Sequence, residues 1–313
     1  MTGSASRSTA VRDVNLSGLD LNLLVVFDMI LIEQSVSRAA ERLHLTQSAV
    51  SHALSRLRLL LHDPLFVRTP QGMQPTAHAE ALAGPVAAVL RDIRTLLVPS
   101  AQFDPATSTQ RFTLGMTDYV AAVVMPALAR RMTAGAPHVR LVVQPSNARS
   151  CGQMIENGGI DLYVGSEPPH PPNFLASSPL YADEAVCVAR AGHPALSGGL
   201  SRDDFLHCAH LHISPFGALG AIDQALASQR VTRRIAMTIG DFLVAPSIIE
   251  QSDLIAVLPR RIAEPMLARY ALAMTESPFD FGAFPIRQTW HRRFDKDPGL
   301  NWLKSEIEAA CSR

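Results

Sequence analysis

Along the first third of the chain apolar residues recur with the period of a helix, and from about Arg111 onward short apolar runs alternate with helical stretches. The stretch from Val36 to Leu61 reads as two helices joined by a tight turn. In the second, Val50, Leu54, Leu57 and Leu61 fall at i, i+4, i+7 and i+11, a stripe that must be buried. Its other side carries Ser48, Ser51, His52 and Ser55, with Gln47 at the entry. That face is short, polar and nearly free of charge, and its groups can exchange hydrogen bonds with base edges and phosphates.

The first helix places Ala39 and Ala40 at the crossing, where small side chains let two helices approach closely. His44 falls at a turn position suited to a left-handed residue, and Thr46 suits an N-cap for a helix beginning at Gln47. A preceding helix is expected over Leu19 to Ile32, with Leu24, Phe27 and Leu31 on one face. Asp63 to Thr76, DPLFVRTPQGMQPT, has the Pro, Gly and short apolar run of a β-hairpin wing. Arg38, Arg42, Arg56, Arg58 and Arg68 meet only Glu41 and Asp63 between Val36 and Pro70, a local excess suited to phosphate contact.

The order of AAERLHLTQSAVSHALSRLR, then DPLFVR, then GMQPT resembles the winged helix-turn-helix of LysR-type transcriptional regulators. The resemblance covers most of the chain. It implies an N-terminal all-α winged helix-turn-helix joined to a C-terminal α/β two-lobed effector domain of periplasmic-binding-protein type. It also implies double-stranded DNA and a small-molecule effector as partners, a homodimer or homotetramer, and RNA polymerase as a partner if the protein activates. On that reading Gln47, Ser48, Ser51 and His52 enter the major groove beside Ser37, Arg38 and Thr46, while Arg56 and Arg68 hold phosphates.

After the wing, Leu82, Val86, Val89, Ile93 and Leu96 make a heptad seam in a helix over Ala77 to Val98, the segment that pairs subunits in this family. Pro85 inside it should kink the helix or mark its first turn. The boundaries expected are a disordered tail over 1–18, the winged domain over 19–76, the linker helix over 77–98, a hinge over 99–110 and the effector domain over 111–313. Within the last, one lobe takes 111–178 and 279–313 and the other 179–277, with hinges near Pro179 and Pro278.

Ligands in open α/β sheets lie beyond the carboxyl ends of the strands. That rule selects Thr117, Asp118 and Tyr119, then Ser146 and Asn147, then Gly165 and Ser166. From the second lobe it selects Ser214, Phe216 and Gly217, then Gly240, Asp241 and Phe242, with His212 beside them and His291 closing the group. Thr117 can cap the next helix, whose free N–H groups suit a carboxylate, although Asp118 opposes an anion unless it points away. The wording of DPLFVR, RFTLGMTDY and WHRRFDKDPGLNWL resembles family members that answer to aromatic compounds, which narrows the expected effector to an aromatic acid or phenol.

Composition changes this picture little. The 313 residues carry 28 Lys and Arg against 28 Asp and Glu, so only the local arginine cluster argues for nucleic acid. Positive charge is nearly all arginine, since the lysines are Lys296 and Lys304 alone, a pattern that fits genomic base bias. No apolar run reaches about 18 residues and the amino-terminal stretch is polar, so a cytoplasmic protein is expected.

Cys151, Cys187, Cys208 and Cys311 are scattered and form no CxxC pair, which argues against a disulfide framework or zinc knuckle. A rival reading makes the protein a redox- or metal-responsive regulator through Cys208, His210 and His212 in HCAHLHIS, with His207 nearby. An enzyme with a fused DNA-binding domain is a further rival. Pyridoxal-phosphate chemistry would need a Schiff-base lysine, and both lysines lie in the last 18 residues. GxxxxGK[ST], HExxH and GxSxG are all absent, and neither catalytic residues nor a cofactor are expected.

Overall fold

A computed structural model describes residues 20–70, 72–97, 103–214 and 220–312. The tail over 1–18, part of the hinge and Phe216 with Gly217 lie outside the described residues. The chain divides into two compact units, Met1–Leu97 and Val98–Arg313.

In the first unit α1 (Asn22–Glu33), α2 (Val36–Leu43) and α3 (Gln47–Leu61) pack around one core, followed by the antiparallel hairpin β1 (Phe66–Thr69) and β2 (Gly72–Pro75) and by α4 (Ala77–Leu97). The helix boundaries follow from capping. Ser35 accepts from the Arg38 N–H, Thr46 from the Ala49 N–H at 3.2 Å, and His44 closes α2 with φ of 54°. Val50, Leu54 and Leu57 of α3 meet Ala39 and Ala40 of α2 in the core, with Leu61 only half-buried at its edge. On α1 Leu23, Val26, Phe27 and Ile30 are fully buried, and Leu24 and Leu31 pack half-buried against the same core. The Phe27 ring packs on Phe66 of the wing, with centroids 5.4 Å apart.

The wing is pinned at both ends. Asp63 Oδ1 accepts from the Leu65 N–H at 2.6 Å and the Thr76 hydroxyl at 2.8 Å, and Thr76 in turn caps α4 through the Ala79 N–H. These bonds hold Leu65 at φ of 58° with its side chain fully buried. At the tip, the N–H of Met73 reaches the Gln34 carbonyl at 2.8 Å, so Gly72 passes close to that oxygen with φ of 118°. Helix α4 runs through Pro85, and Val86 and Leu90 pack into this core with Leu82 beside them. Part of the expected seam is therefore spent within the subunit, while Val89 remains 43% exposed.

Among the described residues the second unit holds two five-stranded sheets. Lobe I contains β3 (Arg111–Met116), α5 (Asp118–Gly135), β4 (Arg140–Pro145), α6 (Cys151–Glu156), β5 (Leu162–Ser166) and β6 (Leu175–Asp183). The chain then builds lobe II from β7 (Ala185–Arg190), α7 (Arg202–His207), β8 (Ala209–Ile213), α8 (Ala221–Ser228), β9 (Arg234–Ile239), α9 (Ala245–Glu250), β10 (Leu254–Pro259), α10 (Arg260–Leu267) and β11 (Leu272–Glu276). It returns to lobe I with β12 (Phe284–His291) and α11 (Pro298–Cys311). The strand orders are β4-β3-β5-β12-β6 and β11-β7-β10-β8-β9.

Strands β3, β4 and β5 run parallel, and so do β8, β9 and β10, whereas β12 runs antiparallel to β5. The chain crosses from lobe I to lobe II at Glu184, past Pro179, and returns between Glu276 and Phe284, a segment that contains Pro278. Pro179 lies inside β6, opposite Arg287 at a register shift, where a proline can sit on an edge strand without breaking the ladder. Phe279 packs on Phe205 of lobe II at 5.1 Å, which carries that lobe past Pro278.

Candidate DNA-binding face and effector site

Capping and burial of α3 leave one side of the first unit polar and open. Ser37, Arg38, Thr46, Gln47, Ser48, Ser51, His52, Arg56 and Arg68 are all exposed. Burial of Val50, Leu54 and Leu57 on one side turns Ser48, Ser51 and His52 to the other, while Gln47, three residues before Val50, is exposed as the first residue of the helix. The Thr46 hydroxyl lies 3.0 Å from Ser48 Oγ, which orders the first turn. Arg38 donates to the Glu33 carbonyl and lies 3.6 Å from its carboxylate, with Arg42 at 3.8 Å. Arg56 pairs with Asp20 at 3.1 Å.

Arg58 departs from the arginine cluster read in the sequence. Its guanidinium donates to the carbonyls of Pro64 at 2.7 Å and Phe66 at 2.8 Å, so it ties α3 to the wing. Two neutral carbonyls at the start of a hairpin need a donor, and the fork of arginine supplies both bonds.

In the second unit the parallel strands of both sheets present their carboxyl ends to one region. Thr117 caps α5 through the Val120 N–H, and the adjacent Asp118 Oδ2 accepts from the backbone N–H of Phe242 at 2.5 Å. The rings of Tyr119 and Phe242 lie 5.8 Å apart. The turn after β3 in lobe I thus touches the turn after β9 in lobe II, with Asp241 alongside. Ser146 joins this end through its N–H to the Met116 carbonyl at 3.1 Å, and Asn147 caps the next turn by accepting from the Arg149 and Ser150 N–H groups. Ser214 sits beside the end of β9, its N–H on the Ile239 carbonyl at 2.7 Å.

Burial pushes the Asp118 carboxyl above the ordinary carboxylate range, and Asp241 adds repulsion that the N–H donors of Phe242 and Tyr119 only partly offset. The Tyr119 hydroxyl donates to Asp183 Oδ2 at 2.6 Å, and Asp183 also receives the backbone N–H groups of Glu184 and Arg261. Tyr119 therefore faces the crossing strand rather than an open mouth. Burial, chiefly, raises its phenol far above its usual range.

Gly165 is a packing glycine: a Cβ there would stand 2.2 Å from the Tyr163 hydroxyl, which occupies the space of a side chain. Ser166 is exposed at the end of β5. His212, at the end of β8, is buried, and its Nδ1 accepts from Arg233 Nη2 at 3.0 Å. A guanidinium offers no acceptor, so this bond fixes the tautomer with the proton on Nε2. Arg233 is held bidentately by Asp223 at 2.8 and 3.0 Å. Neither Asp223 nor Arg233 was singled out in the sequence, because each looks like an isolated surface charge until β9 and α8 meet β8.

His291 does not belong with this group. Because β12 is antiparallel, Trp290 pairs with Leu162 and His291 with Leu175, at the opposite end of the sheet from Met116 and Ser166. There it stacks on Phe174 at 5.1 Å and accepts from the Arg293 N–H. The residue that β12 brings near the carboxyl end of β5 is Arg287, opposite Gly165, with its guanidinium on Ser177 Oγ at 3.0 Å.

The HCAHLHIS segment is split by structure. His207 ends α7, and His210 Nε2 bonds the Phe205 carbonyl at 2.8 Å, with burial lowering its pKa to about 4. Among the described residues no three His, Cys, Asp or Glu side chains converge as a metal site. Burial raises every thiol, Cys187 to about 12 and Cys151 and Cys311 to about 11, with Cys208 also shifted up. A redox sensor needs the opposite shift.

A winged helix-turn-helix with an open polar helix face, followed by two α/β lobes whose strand ends meet, defines a ligand-responsive DNA-binding regulator. Residues 21–80 match the bacterial regulatory helix-turn-helix protein, lysR family, and residues 106–312 match the LysR substrate binding domain. The chain belongs to the LysR family of transcriptional regulators. It is 35% identical over 292 residues to the HTH-type transcriptional activator NagR of Ralstonia sp, covering 93% of this chain and 97% of that protein. It is 36% identical over 292 residues to the HTH-type transcriptional activator NahR of Pseudomonas putida, with the same coverage of 93% and 97%. The crystal structure of the probable transcriptional regulator PA0477 from Pseudomonas aeruginosa matches with a TM-score of 0.76 at 33% identity, over 93% of this chain and 97% of that one. Full-length CbnR complexed with its target DNA, at 15% identity and a TM-score of 0.54 over 94% of this chain and all of that one, shares the fold. No helix among the described residues is long and apolar enough to cross a membrane.

Proposed function

We propose that this regulator answers to an aromatic acid or phenol held where the carboxyl ends of β3, β4 and β5 face those of β8 and β9. The observation that carries this reading is the contact of Asp118 with Phe242, which brings the strand ends of the two sheets together. Around it lie Thr117, Ser146, Asn147 and Ser166 from lobe I, and Ser214, Asp241 and Phe242 from lobe II. His212, held through Nδ1 by Arg233, lies beside them at the end of β8. Arg287 replaces His291 as the side chain that β12 contributes. A ligand touching both lobes biases their arrangement, and through it the placement of subunits on DNA.

On DNA, Gln47, Ser48, Ser51 and His52 read base edges while Ser37, Arg38, Thr46, Arg56 and Arg68 contact the backbone. Arg38 and Arg56 exchange Glu33 and Asp20 for phosphate as they bind. The names of the activators NagR and NahR support activation, with RNA polymerase as the partner contacted by a homodimer or homotetramer in the cytoplasm.

Thermal unfolding of the full chain against aromatic and aliphatic carboxylates and phenols tests the effector. A ligand at about 100 times its Kd adds ~2.7 kcal/mol to the state that binds it. A stabilising aromatic acid whose effect disappears in Thr117→Val supports the site; an effect undiminished in that variant, or no aromatic ligand at all, counts against it. For DNA, Gln47→Ala should lower discrimination between specific and unrelated duplexes, and unchanged discrimination would remove α3 from the recognition role.

A further inference from the structure

On the helical side of the second unit a groove of about 1040 Å³ runs between α5 and α11 of lobe I and α9 and α10 of lobe II. It begins just past the Asp118 and Phe242 contact, at Ala122 on α5 and Leu243, and extends along α5 to Gly135. At 1.5 Å per residue that is about 20 Å of helix, so the groove is long rather than round. Its volume is that of a small-molecule site. The floor is apolar, with Pro126 and Ala127 from α5, Pro246 from α9, Met266 from α10 and Ala309 from α11.

The rim is cationic. Among the described residues Arg130, Arg131, Arg261 and Arg269 line it against a single carboxylate, Glu306. Arg131 holds that carboxylate at 2.6 Å. Arg261 rests over the Tyr181 ring at 4.2 Å and donates to the Cys311 carbonyl, a neutral partner. Arg130 and Arg269 are exposed and have no carboxylate partner among the described residues. An apolar trough with unbalanced positive charge along its edge complements a molecule with an extended hydrocarbon and one negative end.

We propose that this groove is a second ligand site, separate from the strand-end region, for an elongated amphipathic anion of the alkyl carboxylate class. The alkyl chain lies along α5 over the alanine and proline floor, and the carboxylate takes the place of a missing counter-ion on the Arg130, Arg261 and Arg269 rim. Because the walls come from both lobes, the ligand fastens α5 to α9 and α10 and favours the lobe arrangement in which Asp118 meets Phe242.

Calorimetric titration of the full chain with dodecanoate below its micelle concentration tests this. Saturable binding is expected, weakened at least tenfold in Arg130→Glu/Arg269→Glu and in Ala127→Trp, and unchanged in Thr117→Val. The charge-reversal pair is exposed, so it carries the test even where the tryptophan variant unfolds. Absent or non-saturable binding overturns the proposal, as does binding lost in Thr117→Val but kept in the groove variants, which would put the chain in the strand-end site. Light scattering supplies the remaining arm: a change of subunit number in the charge-reversal variant would make the groove a contact between copies and overturn the ligand site.

Discussion

Asp118 Oδ2 accepts the backbone N–H of Phe242 at 2.5 Å, a single hydrogen bond that joins the turn after β3 to the turn after β9. The bond brings an aspartate into a partly buried place beside Asp241, and burial raises its pKa. Asp118→Asn keeps an acceptor for Phe242 and removes the disfavoured charge, whereas Asp118→Ala removes both. A raised native pKa means that the folded chain binds this proton more tightly than the unfolded one. The group's stabilising contribution is therefore full below 3.8 and lost as pH rises through the native value. Urea midpoints at neutral pH should rank Asn at or above the parent and Ala about 1 kcal/mol below it, with the Asn advantage fading in acid.

Gly72→Ala should destabilise the first unit by roughly 2 kcal/mol, because a Cβ would stand 2.6 Å from the Gln34 carbonyl at a φ of 118°. Urea unfolding followed by far-UV dichroism measures it. A midpoint within error of the parent would mean that the wing tip moves freely away from α1.

The two arginines near the wing should separate stability from DNA affinity. Arg58→Ala loses donors to Pro64 and Phe66 and should cost ~1–2 kcal/mol of folding with little change in the salt dependence of binding. Arg68→Ala should leave stability alone, weaken binding to all sequences and lower the slope of log affinity against log salt by about 1. Parallel melts and salt titrations of both variants decide between this division and a shared phosphate role.

Asp63 has its carboxyl held below the usual range, first by the Thr76 hydroxyl and then by the Leu65 N–H. Its contribution is present above 3.8 and is lost as pH falls through the lowered native value. Asp63→Ala should therefore unfold more readily than the parent at neutral pH, and the gap should close in strong acid. A gap of constant size across that range would assign the loss to packing instead of charge.

Helix α3 was legible because its signals are local: Thr46 caps, Ala39 and Ala40 admit a crossing, and Val50, Leu54 and Leu57 define the buried stripe. The effector region was legible only in part. Strand ends can be read from short apolar runs, but strand direction cannot, and His291 was misplaced for that reason alone. Half-polar β6, LASSPLYAD, lacks a continuous apolar run, so Pro179 looked like a boundary when it is inside an edge strand. The bidentate pair of Arg233 and Asp223 that orients His212 joins three elements, and no spacing in the sequence announces it.

Lobe II enters and leaves lobe I at adjacent points, since Asp183 at the end of β6 is the cross-strand partner of Phe284 at the start of β12. In an antiparallel pair such residues lie about 5 Å apart, a gap that a tight turn spans. Residues 184–283 are in effect one long loop of a hairpin, and they form a cassette that relatives could trade without rethreading the rest of the chain. The side chains at the ends of β8 and β9 can be exchanged as a block, while lobe I keeps its own connectivity.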